Sequence, residues 1–279
     1  MKFDFFTFGG AVFWEDVFFY QKWRIQRHCF TKKYRLLDSW DIRRASGSFE
    51  TCQRAFIKYI ETYEITKQQG KMVILLHGYL EGKNIFKPLW RKLTLTESTI
   101  AALNYPSLFR SSLSSAYQIL FFLNHLDDIK EISFVTNGAG NVILRQLLNL
   151  DSASQAYRSK MRLGNIVEIN PVVKVNLFCE FLSRFKIFRF LLGPMLNDLT
   201  ESGVKNLPRI PNELNVLKIF SHTKIYQLGV DLFSLWGFSE EENRVRGKNV
   251  IYLKGKTFRT FKNEQLLNYT AKFINNGKI

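Results

Sequence analysis

Residues that could do chemistry lie where predicted strands end. His77-Gly78 follows an apolar run, and a tight turn, Asn137-Gly138-Ala139-Gly140, joins a predicted strand to a predicted helix. His222 comes directly after another predicted strand. Active sites of parallel sheets gather at the carboxyl ends of the strands, and a helix that begins near Gly140 favours anions at its N-terminus. A dinucleotide loop is disfavoured, because Ile143 stands where the Gly-x-Gly-x-x-Gly pattern requires its third glycine.

The pattern from Lys71 onward predicts the sheet that would bring these segments together. Short apolar or β-branched runs alternate there with helix-period stretches, which is typical of βαβ units on a parallel sheet. The run Met72-Val73-Ile74-Leu75-Leu76 is apolar without alternation, as expected for a strand buried on both faces. We predict six strands, at 72–76, 99–105, 132–136, 166–170, 215–220 and 250–253, and a closing helix from about Asn263.

Residues 1–65 are predicted to form an N-terminal extension of the main domain, which spans 66–279. The pattern in the extension indicates a short hairpin and then a helix around Phe49–Tyr63. Within the main domain, the Phe-rich segment 174–200 holds more apolar residues than one helical face accommodates, with basic residues between them. This segment either packs against the sheet or forms an amphipathic surface that meets acyl chains or anionic lipid.

The composition is that of a folded chain. Of the 279 residues, 46% are hydrophobic and 15% aromatic, which excludes a disordered or collagen-like chain and predicts one large domain or two small ones. The 40 Lys and Arg against 24 Asp and Glu give a net charge of +16. Because these cations are scattered and form no run, we interpret them as a solvated basic surface and disfavour a nucleic-acid partner.

Cysteine usage and the N-terminus favour a cytoplasmic protein. Cys29, Cys52 and Cys179 lie far apart without metal-ligand spacing, so we expect free thiols, a reducing compartment and no metal site. Asp4 interrupts the first apolar stretch, and no small-residue cleavage site follows, unlike in a signal peptide. The uncharged segment Ser111–Leu126 has 16 residues and is too short to span a membrane. No cofactor is expected.

Two segments resemble motifs of the lipase- and esterase-like α/β-hydrolases. Leu75-Leu76-His77-Gly78-Tyr79 is similar to the strand that ends in His-Gly, and Phe134-Val135-Thr136-Asn137-Gly138-Ala139-Gly140 is similar to the nucleophile elbow. Asn104-Tyr105-Pro106-Ser107 and Phe188-Arg189-Phe190-Leu191-Leu192-Gly193-Pro194 also look like segments of the bacterial lipase-like members. The resemblance runs from about Lys71 to the C-terminus. It implies an α/β-hydrolase fold, with a mostly parallel, doubly wound sheet, flanking helices and a lid-like insertion at 174–200.

The resemblance places a degenerate catalytic triad at Gly138, Asp231 and Lys256. Gly138 stands at the apex where the family carries its nucleophile, and glycine offers no hydroxyl or thiol. Lys256 stands where the family reads His in His-Thr-Phe, and a lysine has an unperturbed pKa far above 7. Asp231 is the best match for the acid. His222 is a candidate substitute base, although a surface-loop histidine is the simpler interpretation.

The resemblance also implies an oxyanion hole built from backbone N–H groups at Gly78, Tyr79 and Ala139, which need no particular side chains. Such a site would bind a carbonyl or carboxylate.

Three hypotheses follow from these observations. The first is a hydrolase-fold protein that has lost serine hydrolysis and keeps a binding role, with an acyl or ester small molecule or a lipid as its partner. The second is an active carboxylic-ester hydrolase that uses displaced residues. The third is a basic module that binds a membrane surface or nucleic acid. The sequence leaves the oligomeric state and the ligand open.

Overall fold

Ten strands and nine α-helices are present in the part of the chain that the computed structural model describes, namely residues 13–66, 68, 70–94, 98–126, 128–150, 156–172, 177–222, 249–254 and 257–279. The strands are β1 Trp14–Tyr20, β2 Trp23–His28, β3 Tyr34–Leu37, β4 Arg43–Gly47, β5 Gly70–Leu76, β6 Thr99–Leu103, β7 Ile129–Asn137, β8 Arg162–Ile169, β9 Val216–His222 and β10 Val250–Lys254. The helices are α1 Phe49–Thr62, α2 Lys87–Leu93, α3 Ser112–Asn124, α4 Gly140–Leu148, α5 Leu177–Ser183, α6 Lys186–Leu192, α7 Met195–Asp198, α8 Glu201–Lys205 and α9 Glu264–Asn276.

The six strands β5 to β10 form one parallel sheet in the order β10-β9-β8-β7-β5-β6. All six were predicted from the sequence, and their existence is confirmed. Strand β5, which lies between β7 and the edge strand β6, is buried on both faces, since Met72 to Leu76 are at most 1% exposed. This burial is typical of parallel strands, because the helices that connect them cover both faces of the sheet.

Helices cover the two faces of this sheet with separate apolar cores. One core joins Met72, Ile74 and Phe134 of the sheet to α3 and α4. The other joins Val73 and Val135 to α2 and α9. The predicted fold class is therefore confirmed: the chain has a doubly wound α/β fold with the strand order and the strand–turn–helix unit of the α/β-hydrolase type.

The N-terminal segment forms a second sheet with antiparallel strands in the order β1-β2-β3-β4. The sequence predicts only a short hairpin here. The prediction missed β1 and β4. Strand β1 contains Glu15 and Asp16 among its apolar residues, and β4 carries mainly exposed polar residues that pair with β3. Helix α1 begins after the Ser48 cap, and its Phe56 packs with Trp23 and Ile25 of the sheet. The domain boundary near residue 65 stays a prediction.

Asp16 joins the two sheets. Its backbone N–H donates to the Asn104 carbonyl at 2.9 Å, and the Asn104 N–H donates to the Asp16 carboxylate at 2.7 Å. The same carboxylate accepts from Arg24 at 3.2 Å and from Gln26 at 2.7 Å, and it is fully buried. Gln118 of α3 donates to the Asp16 carbonyl at 2.8 Å. The buried charge is therefore balanced by a cation and by neutral donors from both sheets.

Among the described residues, no helix combines the length and the apolar character needed to cross a bilayer. The same residues contain no cluster of three or more His, Cys, Asp or Glu suited to a metal ion. Cys29 and Cys52 are buried free thiols.

Candidate functional site

A tight turn at Gly138 connects β7 to α4. Gly138 has a φ of +50°, in the left-handed region that side chains other than glycine rarely adopt. Its N–H donates to the Ile169 carbonyl of β8 at 2.9 Å, and its carbonyl accepts from the Asn141 N–H at 3.0 Å. A Cβ added to Gly138 would meet nothing closer than the Gly78 Cα, at 3.9 Å. The turn therefore has room for a side chain at its apex but carries none.

Gly140 has the opposite surroundings. A Cβ on this residue would lie 2.8 Å from the His77 carbonyl oxygen and even closer to that of Leu76. Only glycine allows the first turn of α4 to approach the carboxyl end of β5 so closely. The turn is therefore fixed against the loop that follows β5.

His77 is part of the structural frame of that loop. It is fully buried, and its ring stacks on Tyr105 with centroids 3.9 Å apart. Its Nδ1 donates to the Gly78 carbonyl at 2.8 Å, and the Tyr105 hydroxyl donates to the His77 carbonyl. Burial lowers the pKa of His77 to about 4, so the ring is neutral at pH 7.

The Glu81 side chain folds back over this loop, a feature that the sequence analysis missed. Its carboxylate accepts from the Gly78 N–H at 2.6 Å and from Asn137 Nδ2 at 2.8 Å. Burial raises the pKa of Glu81, and the bonds to Asn137 and Gly78 oppose that shift. One of the three backbone donors expected for a ligand, the Gly78 N–H, is thus already bonded to a side chain of the protein itself.

Tyr79 links the same loop to the helices beyond β8. Its side chain is 7% exposed, and its hydroxyl donates to the Leu192 carbonyl at the end of α6. Ala139, the third expected donor, is buried directly before α4. The role of both backbone N–H groups in binding a ligand stays a prediction.

The other predicted triad members cannot be placed beside Gly138. Asp231 and Lys256 lie outside the described residues. His222 is the last residue of β9, and its backbone pairs with Lys254 of β10, but its side chain is outside the description.

Two hydroxyl side chains of β7, those of Thr136 and Ser133, lie close to the turn in the sequence. Thr136 is fully buried within β7. Ser133 is buried in the same strand, where its Oγ accepts from the Asn165 N–H at 3.1 Å. Neither hydroxyl is positioned as a displaced nucleophile.

Helices α5 and α6 present an apolar–basic surface. Phe190 is 83% exposed, Ile187 62% and Leu191 56%, whereas Leu182 is buried. Arg184, Lys186 and Arg189 are exposed between these side chains. Both interpretations of the segment hold in part. Leu182, Met195, Leu196 and Leu199 pack into the core that contacts the sheet, whereas six apolar side chains of 181–191 are exposed. We define the apolar–basic surface by its exposed members, Phe181, Arg184, Phe185, Lys186, Ile187, Phe188, Arg189, Phe190 and Leu191.

No protein-family model and no curated protein sequence matches this chain. Solved structures with similar folds include a metagenomic carboxyl esterase, at 14% identity over 56% of this chain and 51% of that chain, with a TM-score of 0.44. The chain thus spans about half the length of that esterase. A lipase-esterase related protein from Clostridium acetobutylicum matches at 14% identity over 74% and 93% of the two chains, with a TM-score of 0.44.

A third similar structure is a variant of methylketone synthase I from tomato, in complex with beta-ketoheptanoate. It matches at 11% identity over 76% of this chain and 100% of that chain, with a TM-score of 0.46. Because these likenesses are weak, the assignment of the fold class depends on the strand order and helix placement of this chain.

Proposed function

We propose that this chain is an α/β-hydrolase-fold protein of lipase- or esterase-like ancestry that has lost serine hydrolysis and keeps a binding role. The observation that carries the proposal is the turn at Gly138. It has the positive φ of a nucleophile elbow and space for a side chain, yet it offers no nucleophilic atom. Gly140 preserves the close approach of α4 to β5 that such a turn requires.

Glu81 supports the same proposal. An oxyanion hole stabilises a developing negative charge with donors that are free to accept it. Here the Gly78 N–H donates to a carboxylate, and that carboxylate would repel an oxyanion whenever it is ionised. The loop therefore binds the carboxylate of Glu81 with a backbone donor that an oxyanion would need. An acyl or ester ligand would have to bind beside Glu81 or displace it.

The decisive experiment is exposure of the folded protein to a fluorophosphonate, followed by intact-mass analysis. We expect no adduct on the unmodified protein. The variant Gly138→Ser should also remain unlabelled, because Lys256 stands in the place of the base and Glu81 opposes the negative charge. Combining Gly138→Ser with Lys256→His and Glu81→Gln should yield slow labelling at residue 138.

An adduct on the unmodified protein would contradict the proposal and favour an active ester hydrolase with displaced residues. Peptide mapping of that adduct would identify its nucleophile. Failure of the triple variant to react, in protein shown by circular dichroism to be folded, would contradict the placement of Lys256 as the former base.

The apolar–basic surface favours a second candidate role, peripheral contact with an anionic lipid surface. Exposed aromatic side chains interleaved with arginine and lysine are the features by which helices lie in a membrane interface. The net charge of +16 adds long-range attraction to anionic lipid. A cytoplasmic location, which stays a prediction, would expose the protein to such a surface.

Co-flotation with vesicles tests this role. We expect binding to phosphatidylcholine vesicles that contain phosphatidylglycerol, weaker binding to phosphatidylcholine alone, and loss of binding in Phe190→Ser combined with Ile187→Ser. Lys58→Ala, on the exposed side of α1, is the matched control and should bind as the unmodified protein does. Equal binding by the double variant would contradict the lipid role, and tighter binding to duplex DNA than to vesicles would favour the nucleic-acid hypothesis.

A further inference from the structure

A cavity of about 480 Å³ lies beside α4, on the face of the parallel sheet that α4 covers. Glu168, Val216 and Lys218 contribute from β8 and β9, Asn141 and Arg145 contribute from α4, and residues 209–212 and 214 complete the lining with Pro171 and Val172. The volume falls within the range of roughly 300–1,000 Å³ that is usual for small-molecule sites. The cavity is separate from the apex at Gly138, which is not among its lining residues.

Among the described charged side chains that line this cavity, cations outnumber acids by three to one. Arg145, Arg209 and Lys218 face a single carboxyl group, that of Glu168. Lys218 Nζ lies 4.0 Å from Glu168 Oε2, at the limit of an ion pair. The lining therefore carries two positive charges in excess when Glu168 is ionised.

Arg145 is held in place by the chain that forms the opposite side of the cavity. Its Nε donates to the Pro208 carbonyl at 2.7 Å, and its Nη2 donates to the Leu207 carbonyl at 3.3 Å. Both partners are neutral, so these bonds orient the guanidinium without balancing its charge. Burial and the nearby Arg209 lower the pKa of Arg145, and the charge of Glu168 opposes this shift.

Glu168 is 2% exposed and accepts a hydrogen bond from Asn141 Nδ2. Burial raises its pKa to about 7, against the opposing effects of Lys218, Arg145 and Asn141. Asn141 Oδ1 has no hydrogen-bond partner in the described part of the chain, and a protonated Glu168 would supply the missing donor. Near neutral pH this carboxyl group therefore cancels only part of the charge of the three cations.

We propose that this cavity is a binding site for a small organic dianion, with the cations Arg145, Arg209 and Lys218 as its recognising groups. Two negative charges on one small molecule would balance the two charges in excess, and the volume admits a molecule larger than an inorganic anion. Phosphate monoesters and dicarboxylates share this chemistry. The site does not depend on the loss of hydrolysis at Gly138, so its test and that of the proposed function are independent.

Methyl NMR provides the test, because Ile210, Leu214 and Val216 line the cavity while Leu93 lies in the core on the other face of the sheet. The probes are glucose 6-phosphate, glucose and succinate. We expect the charged probes to shift the three cavity methyls and to leave Leu93 unchanged, whereas glucose should shift none. A response to only one charged probe would assign the site to that chemical class. No response to either, or an equal response to glucose, would overturn the proposal.

Two variants test whether the cations of the cavity contribute to the affinity for the active probe. Lys218→Met, which keeps the aliphatic stem, and Arg209→Ala should each weaken binding of the active probe by about tenfold. Lys58→Met, an exposed lysine on α1, is the matched control and should not change the affinity. Arg209 is exposed, so its variant keeps the test valid if Lys218→Met fails to fold. Unchanged affinity in Arg209→Ala and in a folded Lys218→Met would overturn the assignment.

Sulfate remains a dianion between pH 6 and pH 8. A change in its affinity over this range therefore reports on the protonation of Glu168. Lys218 faces this carboxyl group from β9, and Arg145 and Asn141 face it from α4. Protonation of Glu168 removes its repulsion, so sulfate should bind about tenfold more tightly at pH 6 than at pH 8. Glu168→Gln should abolish this dependence. A pH dependence that persists in Glu168→Gln would contradict the role given to this carboxyl group.

Discussion

Two glutamates flank the junction of β7 and α4, and their surroundings differ: Glu168 is buried, whereas Glu81 is partly exposed to solvent. Glu81 lies at the carboxyl edge of the sheet, where a backbone N–H and an amide donate to its carboxylate. Glu168 lies on the α4 face, where arginine and lysine side chains share a cavity with it. Burial raises the pKa of both residues. The acid at the edge has its hydrogen bonds satisfied from within the protein, whereas the acid on the face borders a space with an excess of positive charge.

This difference favours the cavity beside Glu168, rather than the carboxyl edge of the sheet, as the place where a ligand binds. In the hydrolase-like arrangement the carboxyl edge would receive the substrate, but here Glu81 occupies a backbone donor at that edge. The cavity beside Glu168 keeps its cations available. We therefore expect a change at Glu81 to act mainly on stability, and a change at Glu168 to act on both stability and binding.

The largest effect should come from the turn that separates the two glutamates. Gly140→Ala places a Cβ against the backbone carbonyls of Leu76 and His77, which cannot move without distorting β5. We expect a loss of more than about 3 kcal/mol in the free energy of unfolding, or no folded protein. Gly138→Ala is the matched control, because its Cβ meets open space and only its φ of +50° is unfavourable. It should lose about 1–2 kcal/mol in urea unfolding. Equal losses would show that this junction is not packed as described.

The next effect is the pH dependence that Glu168 confers on stability. Its pKa in the folded protein is about 7, above the ordinary glutamate value, so the protonated form favours the folded state. Its contribution is fully present below about pH 4 and is lost as the pH rises through 7. Between these limits the free energy of unfolding should fall by roughly 3 kcal/mol more in the unmodified protein than in Glu168→Gln. Urea unfolding at pH 5 and pH 8 measures the difference, and parallel pH profiles would show that Glu168 titrates normally.

Replacing Glu81 should produce a smaller effect. Glu81→Ala leaves the Gly78 N–H and the Asn137 amide without their acceptor, which should lower the free energy of unfolding by about 2 kcal/mol. Glu81→Gln keeps one acceptor oxygen and should lose about half as much. Thermal unfolding compares the two variants. If alanine is tolerated better than glutamine, Glu81 is not retained for its hydrogen bonds, and the contrast with Glu168 fails.

The smallest effect on stability is expected far from both glutamates, on the apolar–basic surface. Phe190 is 83% exposed, so Phe190→Ser should change the free energy of unfolding by less than about 0.5 kcal/mol. Thermal unfolding without lipid measures this value. A loss above about 2 kcal/mol would mean that Phe190 is packed in solution, and the surface could not serve as a free lipid contact.

The sequence identified the parallel sheet because burial on both faces leaves apolar runs that are easy to recognise. The strands containing Met72, Phe134 and Ile166 all lie where these runs predict them. Their ends were less predictable, since β7 begins at Ile129 and β8 at Arg162, where polar residues interrupt the runs. The N-terminal sheet was missed in part, because β4 is stabilised by pairing with β3 and carries no apolar signal of its own.

The two glutamates show the limits of the sequence for the candidate site. Glu81 stands in a polar turn, and nothing in its neighbourhood indicates that the loop folds back onto Gly78. Glu168 did leave a signal, a lone acid within the apolar run Ile166-Val167-Glu168-Ile169, where burial of a charge requires an explanation. Its cationic neighbours come from distant segments, Arg145 on α4 and Lys218 on β9, and only the fold brings them together.

Asp16 has a consequence for how the chain as a whole melts. Its carboxylate and backbone bind Arg24 and Gln26 on one side and Asn104 and Gln118 on the other. If the sheets separated, the buried carboxylate would lose the Asn104 N–H and the Asp16 carbonyl would lose Gln118. The loss of these hydrogen bonds would lower the stability of both sheets. We therefore expect the antiparallel and parallel sheets to unfold as one cooperative unit, and residues 13–47 to exchange their amide hydrogens with the core rather than before it.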